Sequence, residues 1–413
     1  MHLRGPLSPV LLVSVVLAWS LCGCLTPTQT PRTVTSAPAA GKSTAAAAPS
    51  ATSAPARRKG VAPLEMTRPA TFPHRIWAAC DFEAKLPDYG LFGSTESKNV
   101  AVYPGNTTAR HGTVYGGSAQ MTGCNPVPGP CMGKENFMYC RYLLRGTDRA
   151  KFQHYSLTRS DNCNVTLTGL KQGEWSEATM NFTRDSRRND GSAEAFKEGE
   201  RMDDLKVFVG DAKDGKEYEL ILDDIIFFSV DANLPPEKEP FPNRVIFLAG
   251  FDTGNDAKSR EKYFPGEYDI VSGNAAPGGA YWSVAKARTG ADAKSAAIKM
   301  KMSPPRTAGQ ETKLRFRYWV KGAGKIAVAV HDATAETSRT VTVADATSGK
   351  WTFVHVNFSK DGKSEKAGAR PLAAGSALDE LTFTVAQEGD EPVALYVDEV
   401  CVYDAGARQA DKP

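Results

Sequence analysis

Thirteen residues, GEWSEATMNFTRD from Gly173 to Asp185, return as GKWTFVHVNFSKD from Gly349 to Asp361, with Gly, Trp, Asn, Phe and Asp identical in register. The same offset of 176 residues relates RYLLRG (from Arg141) to RYWVKG (from Arg317), and DDL (from Asp203) to DEL (from Asp379). After one deletion, LILDDIIFF (from Leu220) aligns with LYVDEVCVY (from Leu395); upstream, RIWAACDFE (from Arg75) aligns with RVIFLAGFD (from Arg244). A chain built this way is a duplication, and its fold is two copies of one domain. Each copy holds about 160 residues, enough for a core of its own. The period is far too long for a solenoid repeat.

The segment before the first copy is of another kind. Met1 to Gly23 carries one early Arg and an apolar run from Val10 to Trp19, too short to cross a bilayer and of the form of a secretory signal. Leu21-Cys22-Gly23-Cys24 resembles a bacterial lipobox, which implies lipidation of Cys24 as the mature N-terminus. Leu25 rather than an Asp after it favours the outer membrane of the cell envelope. Residues 24–72 are rich in Ala, Pro, Thr and Ser with no hydrophobic period, so they are expected to form a disordered tether with a reach of about 35 to 40 Å. The net charge of +3 leaves no basic field on the scale of nucleic-acid binding.

Within both copies the dominant signal is alternation with period two. Ser176, Ala178, Met180 and Phe182 match Thr352, Val354, Val356 and Phe358 as an inward series. Leu314, Phe316, Tyr318 and Val320 point inward on the strand that carries Arg315, Arg317 and Trp319 outward, and Ile326, Val328 and Val330 alternate with Ala327 and Ala329. Many short strands bounded by turn residues predict an all-β chain of two tandem β-sandwich domains, 73–233 and 243–405, with 406–413 a disordered tail. The four Asn-X-Ser/Thr sequons, at Asn106, Asn164, Asn181 and Asn357, read as chance occurrences in strands rich in Asn and Thr.

A first strand ending Asp81-Phe-Glu83 or Gly250-Phe-Asp252, a Gly-X-Trp before a late strand, and the closing strands LILDDIIFF and LYVDEVCVY resemble jelly-roll carbohydrate-binding modules of galactose-binding-like fold. The resemblance covers both copies. It implies a non-catalytic role with a polysaccharide or cell-surface glycan as partner. It also implies a structural Ca²⁺ held by Glu83 with Asp223 or Asp224, and by Asp252 with Asp398 or Glu399, since carboxylates from two chain ends suit a hard cation. The alternative is that these acids end strands in water.

An aromatic platform for a sugar is expected on the outward face of the second copy, from Arg315, Arg317, Trp319, Phe353, His355 and Asn357. The matching residues of the first copy, Tyr139, Arg141, Leu143, Glu177, Thr179 and Asn181, differ in kind, so any ligand there should differ. Trp175 and Trp351 read as packing residues. No Gly-X-Ser-X-Gly, His-Glu-X-X-His or Cys-X-X-Cys motif occurs, and a sandwich lyase or glycoside hydrolase stands behind the binding reading. A structural or protein-binding envelope component is the other alternative. Export permits disulfides, and Cys124–Cys131 and Cys140–Cys163 are the expected bridges, with Cys80 and Cys401 as buried thiols.

Overall fold

The computed structural model describes residues 68–81, 100–101, 111–115, 123–124, 131–189, 192, 196–209, 218–252, 262–277, 283–366, 368 and 370–407. Cys24, the tether as far as residue 67 and Glu83 lie outside them; the last residues expected in the tether, 68–72, are placed against the fold, with Phe72 buried. No helix among the described residues is long and apolar enough to cross a membrane.

The first sandwich contains β1 (Arg75–Cys80), β2 (Val100–Ala101), β3 (His111–Tyr115), β4 (Gly123–Cys124), β5 (Glu135–Arg145), β6 (Ala150–Ser156), β7 (Asp161–Leu167), β8 (Ser176–Asn181), β9 (Arg187–Arg188), β10 (Met202–Val209) and β11 (Glu219–Val230). One sheet has the order β2-β3-β11-β5-β8, with β1 also on β11; the other runs β4-β10-β6-β7-β9. The second sandwich contains β12 (Arg244–Ala249), β13 (Gly266–Glu267), β14 (Asp269–Val271), β15 (Val284–Lys286), β16 (Ser295–Thr307), β17 (Thr312–Lys321), β18 (Ile326–Asp332), β19 (Thr337–Val343), β20 (Thr352–Asn357), β21 (Lys363–Ser364), β22 (Ala377–Ala386) and β23 (Ala394–Asp404). Its sheets run β14-β15-β23-β17-β20, with β12 on β23, and β13-β16-β22-β18-β19-β21. The two sandwiches share one plan, as the duplication requires.

The repeated thirteen residues have a structural reason in each part. Gly173 and Gly349 sit at φ +78° and +71°, a left-handed turn that other residues adopt only with strain. Their amides donate to the carbonyls of Leu144 and Val320, which ties the turn to the neighbouring strand. A strand follows, then a single helical turn, α1 (Phe182–Asp185) or α2 (Phe358–Asp361). Asn181 and Asn357 cap these turns, each side chain accepting from the third amide, of Arg184 at 2.8 Å and of Lys360 at 2.9 Å. Such caps are worth about 1 kcal/mol each. They account for two of the four sequons. Phe182 and Phe358 are fully buried beneath them.

Alternation places the cores where expected. β6 and β18 alternate perfectly between buried and half-buried positions, with Ile326, Val328 and Val330 in the second core. β11 departs from this, being buried at every residue from Leu220 to Ser229, and β17 is buried without break from Leu314 to Phe316. A strand covered on both faces reads as a continuous apolar run. The cover here is the other sandwich. Ile76, Tyr139, Ile226 and Phe228 from the first sandwich and Val245, Leu248, Cys401 and Tyr403 from the second form a third hydrophobic core. Phe72 and the linker residue Phe241 complete it. Both sandwiches lie in one compact unit of the chain.

Polar groups close the rim of this third core. Arg75 Nη2 donates to Asp252 Oδ2 at 2.5 Å, and Arg244 Nη1 to Asp81 Oδ2 at 3.3 Å. Each first strand thus sends its leading arginine to an acid beyond the end of the other sandwich's first strand.

Candidate functional site

The expected platform on β17 and β20 is real as a face but is largely occupied. Arg315, 2% exposed, donates to Glu237 of the linker and, at 2.9 Å, to the His74 carbonyl. Its guanidinium lies 4.0 Å from the Phe353 ring centroid and 5.2 Å from that of Phe72. His355 has Nε2 2.8 Å from Glu237 Oε2 and Nδ1 3.0 Å from the Tyr403 hydroxyl. Burial works against ionisation of Glu237, but the hydrogen bonds from His355 and Arg315 hold its carboxyl below the usual range. Lys313 reaches Glu239 at 3.3 Å, and Asn357 Nδ2 donates to Glu311 at 2.6 Å. The linker therefore straps the lower half of the face.

Over the upper half, Trp351 donates from Nε1 to the Pro277 carbonyl at 2.8 Å and packs with Ala276, Val284 and Tyr396. Trp319 is half-buried edge-on to Tyr396, ring centroids 5.5 Å apart. Phe353, at 43%, is the large apolar side chain of this face that stays open. Ala327 and Ala329 lie on β18 in the opposite sheet and take no part in this face. The first sandwich repeats the pattern: Tyr139 donates to Glu177 at 3.0 Å and Arg68 reaches the same oxygen at 2.7 Å.

The described acids expected to hold calcium each face an arginine, Glu83 lying outside the described residues. Arg141 Nη1 lies 3.4 Å from Asp223 and 3.2 Å from Asp224; Arg317 is paired with Asp398, and Arg75 with Asp252. Tryptophan covers both duplicated pairs, with Arg141 4.9 Å from the Trp175 ring centroid and Arg317 4.7 Å from that of Trp351. A Trp-Arg-Asp stack is thus written twice, Trp and Arg repeating at an offset of 176 residues and Asp at 175. Beside it, Asp224 and Glu399 hold φ of +46° and +48° at the bulge that shifts register in each closing strand. Burial pushes Asp398 up to about 7, against Arg317 and helped by the Glu399 and Asp252 charges; burial also lifts Asp252 to about 6. Among the described residues, no group of three or more His, Cys, Asp or Glu is placed to hold a metal ion.

The expected disulfides are not formed. Cys131, Cys140 and Cys163 carry free thiols, so Cys131 has no bond to Cys124. Cys140 and Cys163 belong to opposite sheets of the first sandwich and serve as small apolar residues in its core, where burial pushes both thiols up to about 12. Cys401 is buried as expected, in the core between the sandwiches.

A different face has the chemistry of a site. The outer side of β10, β6 and β7 sets Phe208, Lys151 and Thr166 in one row across the strands, Lys206, Gln153 and Asn164 in the next, and Tyr155 with Asn162 in a third. All are half-buried. Gln153 donates to Asn162 at 3.0 Å, Asn164 donates to Asn189 at 2.8 Å, and Lys151 Nζ sits 4.1 Å from the Phe208 ring centroid. Asn164 Oδ1 is a buried acceptor with no hydrogen-bond partner. Amides beside aromatic rings supply both donors and acceptors for hydroxyl groups and flat apolar surface for sugar C–H faces. No tryptophan marks this face in the sequence, and its residues differ from those of the expected platform. The alternation KFQHYS, with Lys151, Gln153 and Tyr155 outward, was the available signal.

No protein-family model and no curated protein matches the chain. Among solved structures it is similar to the N-terminal CBM22-1-CBM22-2 tandem domain of Paenibacillus barcinonensis Xyn10C, at 12% identity over 82% of this chain and 100% of that one, TM-score 0.28. It is also similar to TmCBM61, solved with beta-1,4-galactotriose, at 14% identity over 34% of this chain and 86% of that one, TM-score 0.24. The family 11 carbohydrate-binding module of Clostridium thermocellum is similar at 11% identity over 34% of this chain and 84% of that one, TM-score 0.24.

Proposed function

We propose that this chain is an envelope-anchored, non-catalytic glycan-binding protein whose first sandwich binds through the outer face of β10, β6 and β7. Cys24 carries the lipid, residues 24–67 hold the folded part away from the membrane, and the two sandwiches form the exposed head. The observation that carries the reading is the array of Tyr155, Gln153, Asn162 and Asn164, with the unpartnered Asn164 Oδ1 among them. A buried acceptor without a donor costs about 1 to 3 kcal/mol, which a ligand hydroxyl would recover.

A structural or protein-binding envelope component is the second reading. The third core favours it, because the outer faces of the β5 and β17 sheets serve each other rather than a ligand. Screening the full chain on a glycan array decides between them. Retention on a polysaccharide, weakened in Tyr155→Ala at unchanged melting temperature and kept in Trp319→Ala, is the expected result. A chain that retains no glycan, or a Tyr155→Ala variant that binds like the parent, removes the binding face.

A further inference from the structure

On the second sandwich, an open cavity of about 510 Å³ lies on the outer side of β16, β18 and β22. Lys301, Ser303, His331, Asp379 and Glu380 line it, with Met302 and Pro305 as its apolar part. Register explains the convergence: Glu380 is opposite His331 on one side and opposite Lys301 on the other. In a regular strand Asp379 and Glu380 would point to opposite faces. Here Leu378 and Leu381 are both buried in the core, so the two residues between them bulge outward together, where the register shifts against both neighbours. Bulges of this kind re-aim side chains near functional sites.

The bulge is duplicated. In the first sandwich the register of β10 against β6 shifts between Met202 and Leu205, around Asp203-Asp204, the residues that match Asp379-Glu380. Tyr155 stands where the second sandwich has His331. The inner face does not require an acid pair at this place, since both cores close with the flanking Met202, Leu205, Leu378 and Leu381.

Resting on the glycan-binding reading, we infer that this cavity is a second sugar site, selective for a neutral ring with vicinal hydroxyl groups. Thr382 donates to Glu380 Oε1 at 3.1 Å, and His331 Nδ1 lies 2.7 Å from Asp379 Oδ1. That leaves the second oxygen of each carboxylate to accept hydroxyl protons, along with His331 Nε2 once its Nδ1–H is given to Asp379, and Lys301 to donate to hydroxyl oxygens. Pro305 offers the C–H face of the ring an apolar contact, and Met302, buried in the core directly beneath, lies close enough to report on it. Two carboxylates against one lysine disfavour a uronic acid by like-charge repulsion.

Methyl-labelled methionine in the full chain provides a local reporter. Cellotetraose, xylotetraose, mannotetraose and galactotetraose are titrated separately against the Met302 methyl signal, with tetragalacturonate as the acidic probe. At least one neutral tetrasaccharide is expected to shift Met302, with affinity about tenfold lower in Glu380→Gln and in Asp379→Asn, and tetragalacturonate is expected to leave it unmoved. Binding lost in Tyr155→Ala but unaccompanied by any Met302 shift overturns the second site while leaving the first intact. Absence of binding by all five probes overturns both. A Met302 response to tetragalacturonate, or affinities unchanged in both acid variants, overturns the stated selectivity and the site with it.

Discussion

Replacing Phe241 by Ala tests whether the two sandwiches are one folding unit. Phe241 belongs to the linker, is 3% exposed, and packs edge-on against Tyr139 at 5.2 Å and Phe228 at 5.3 Å, both from the first sandwich. A buried Phe removes on the order of 150 to 200 Å² from water, which at about 25 cal/mol per Å² amounts to about 4 to 5 kcal/mol. Two edge contacts add about 0.5 to 1.5 kcal/mol each, while the alanine methyl and partial collapse of the site return some of the total. The net cost expected is about 3 to 5 kcal/mol. Most of it falls on the third core, since Phe241 is part of neither sandwich interior. Urea unfolding followed by tryptophan fluorescence and by circular dichroism is the assay. The parent chain should unfold in one transition seen by both probes, and Phe241→Ala should shift it to lower urea or split it in two. Two well-separated transitions already present in the parent, or a midpoint unmoved by the substitution, would refute the reasoning.

Stability should depend on pH through the buried acids at the rim of the third core. A carboxyl whose folded pKa lies above its unfolded value of 3.8 favours folding while protonated, and this contribution is lost as pH rises through about 6 for Asp252 and about 7 for Asp398. At about 1.4 kcal/mol per pH unit the rise at Asp252 is worth about 3 kcal/mol, so the melting temperature should fall as pH rises from about 4 to about 7 and level off above that. Asp252→Asn, which keeps an acceptor for the Ser283 amide, should flatten that fall; an unaltered slope in this variant counts against the assignment. Cys24→Ser should release the chain from membranes or block its maturation, and parent protein without a lipid label would end the anchor proposal.

The two-domain plan, the strand-rich class and the inward residues of both cores were legible in the sequence because they rest on local periodicity and on a repeat. Leu314, Phe316, Tyr318 and Val320 point inward by alternation alone, whatever the rest of the chain does. Alternation cannot say what meets the other face, and that is where the reading of Arg315 and His355 failed. Their partners, Glu237, His74 and Phe72, come from a linker and a leading segment whose positions follow from the docking of one sandwich on the other. A hint was available in Tyr139, Ile226 and Phe228, apolar at places that alternation assigns to solvent, and in Phe241 in the linker. Calcium at the acids of the closing strands came from the family resemblance, since carboxylates from two chain ends suit a hard cation. The tertiary structure sets an arginine from the neighbouring strand against Asp223 and Asp398, and the repeat itself carries this pairing, Arg141 and Arg317 standing 176 residues apart and Asp223 and Asp398 175 apart. Periodicity along one strand is set by its own backbone geometry, whereas the identity of the neighbour across a sheet face is set by contacts between residues far apart in the chain, and only the assembled fold contains them.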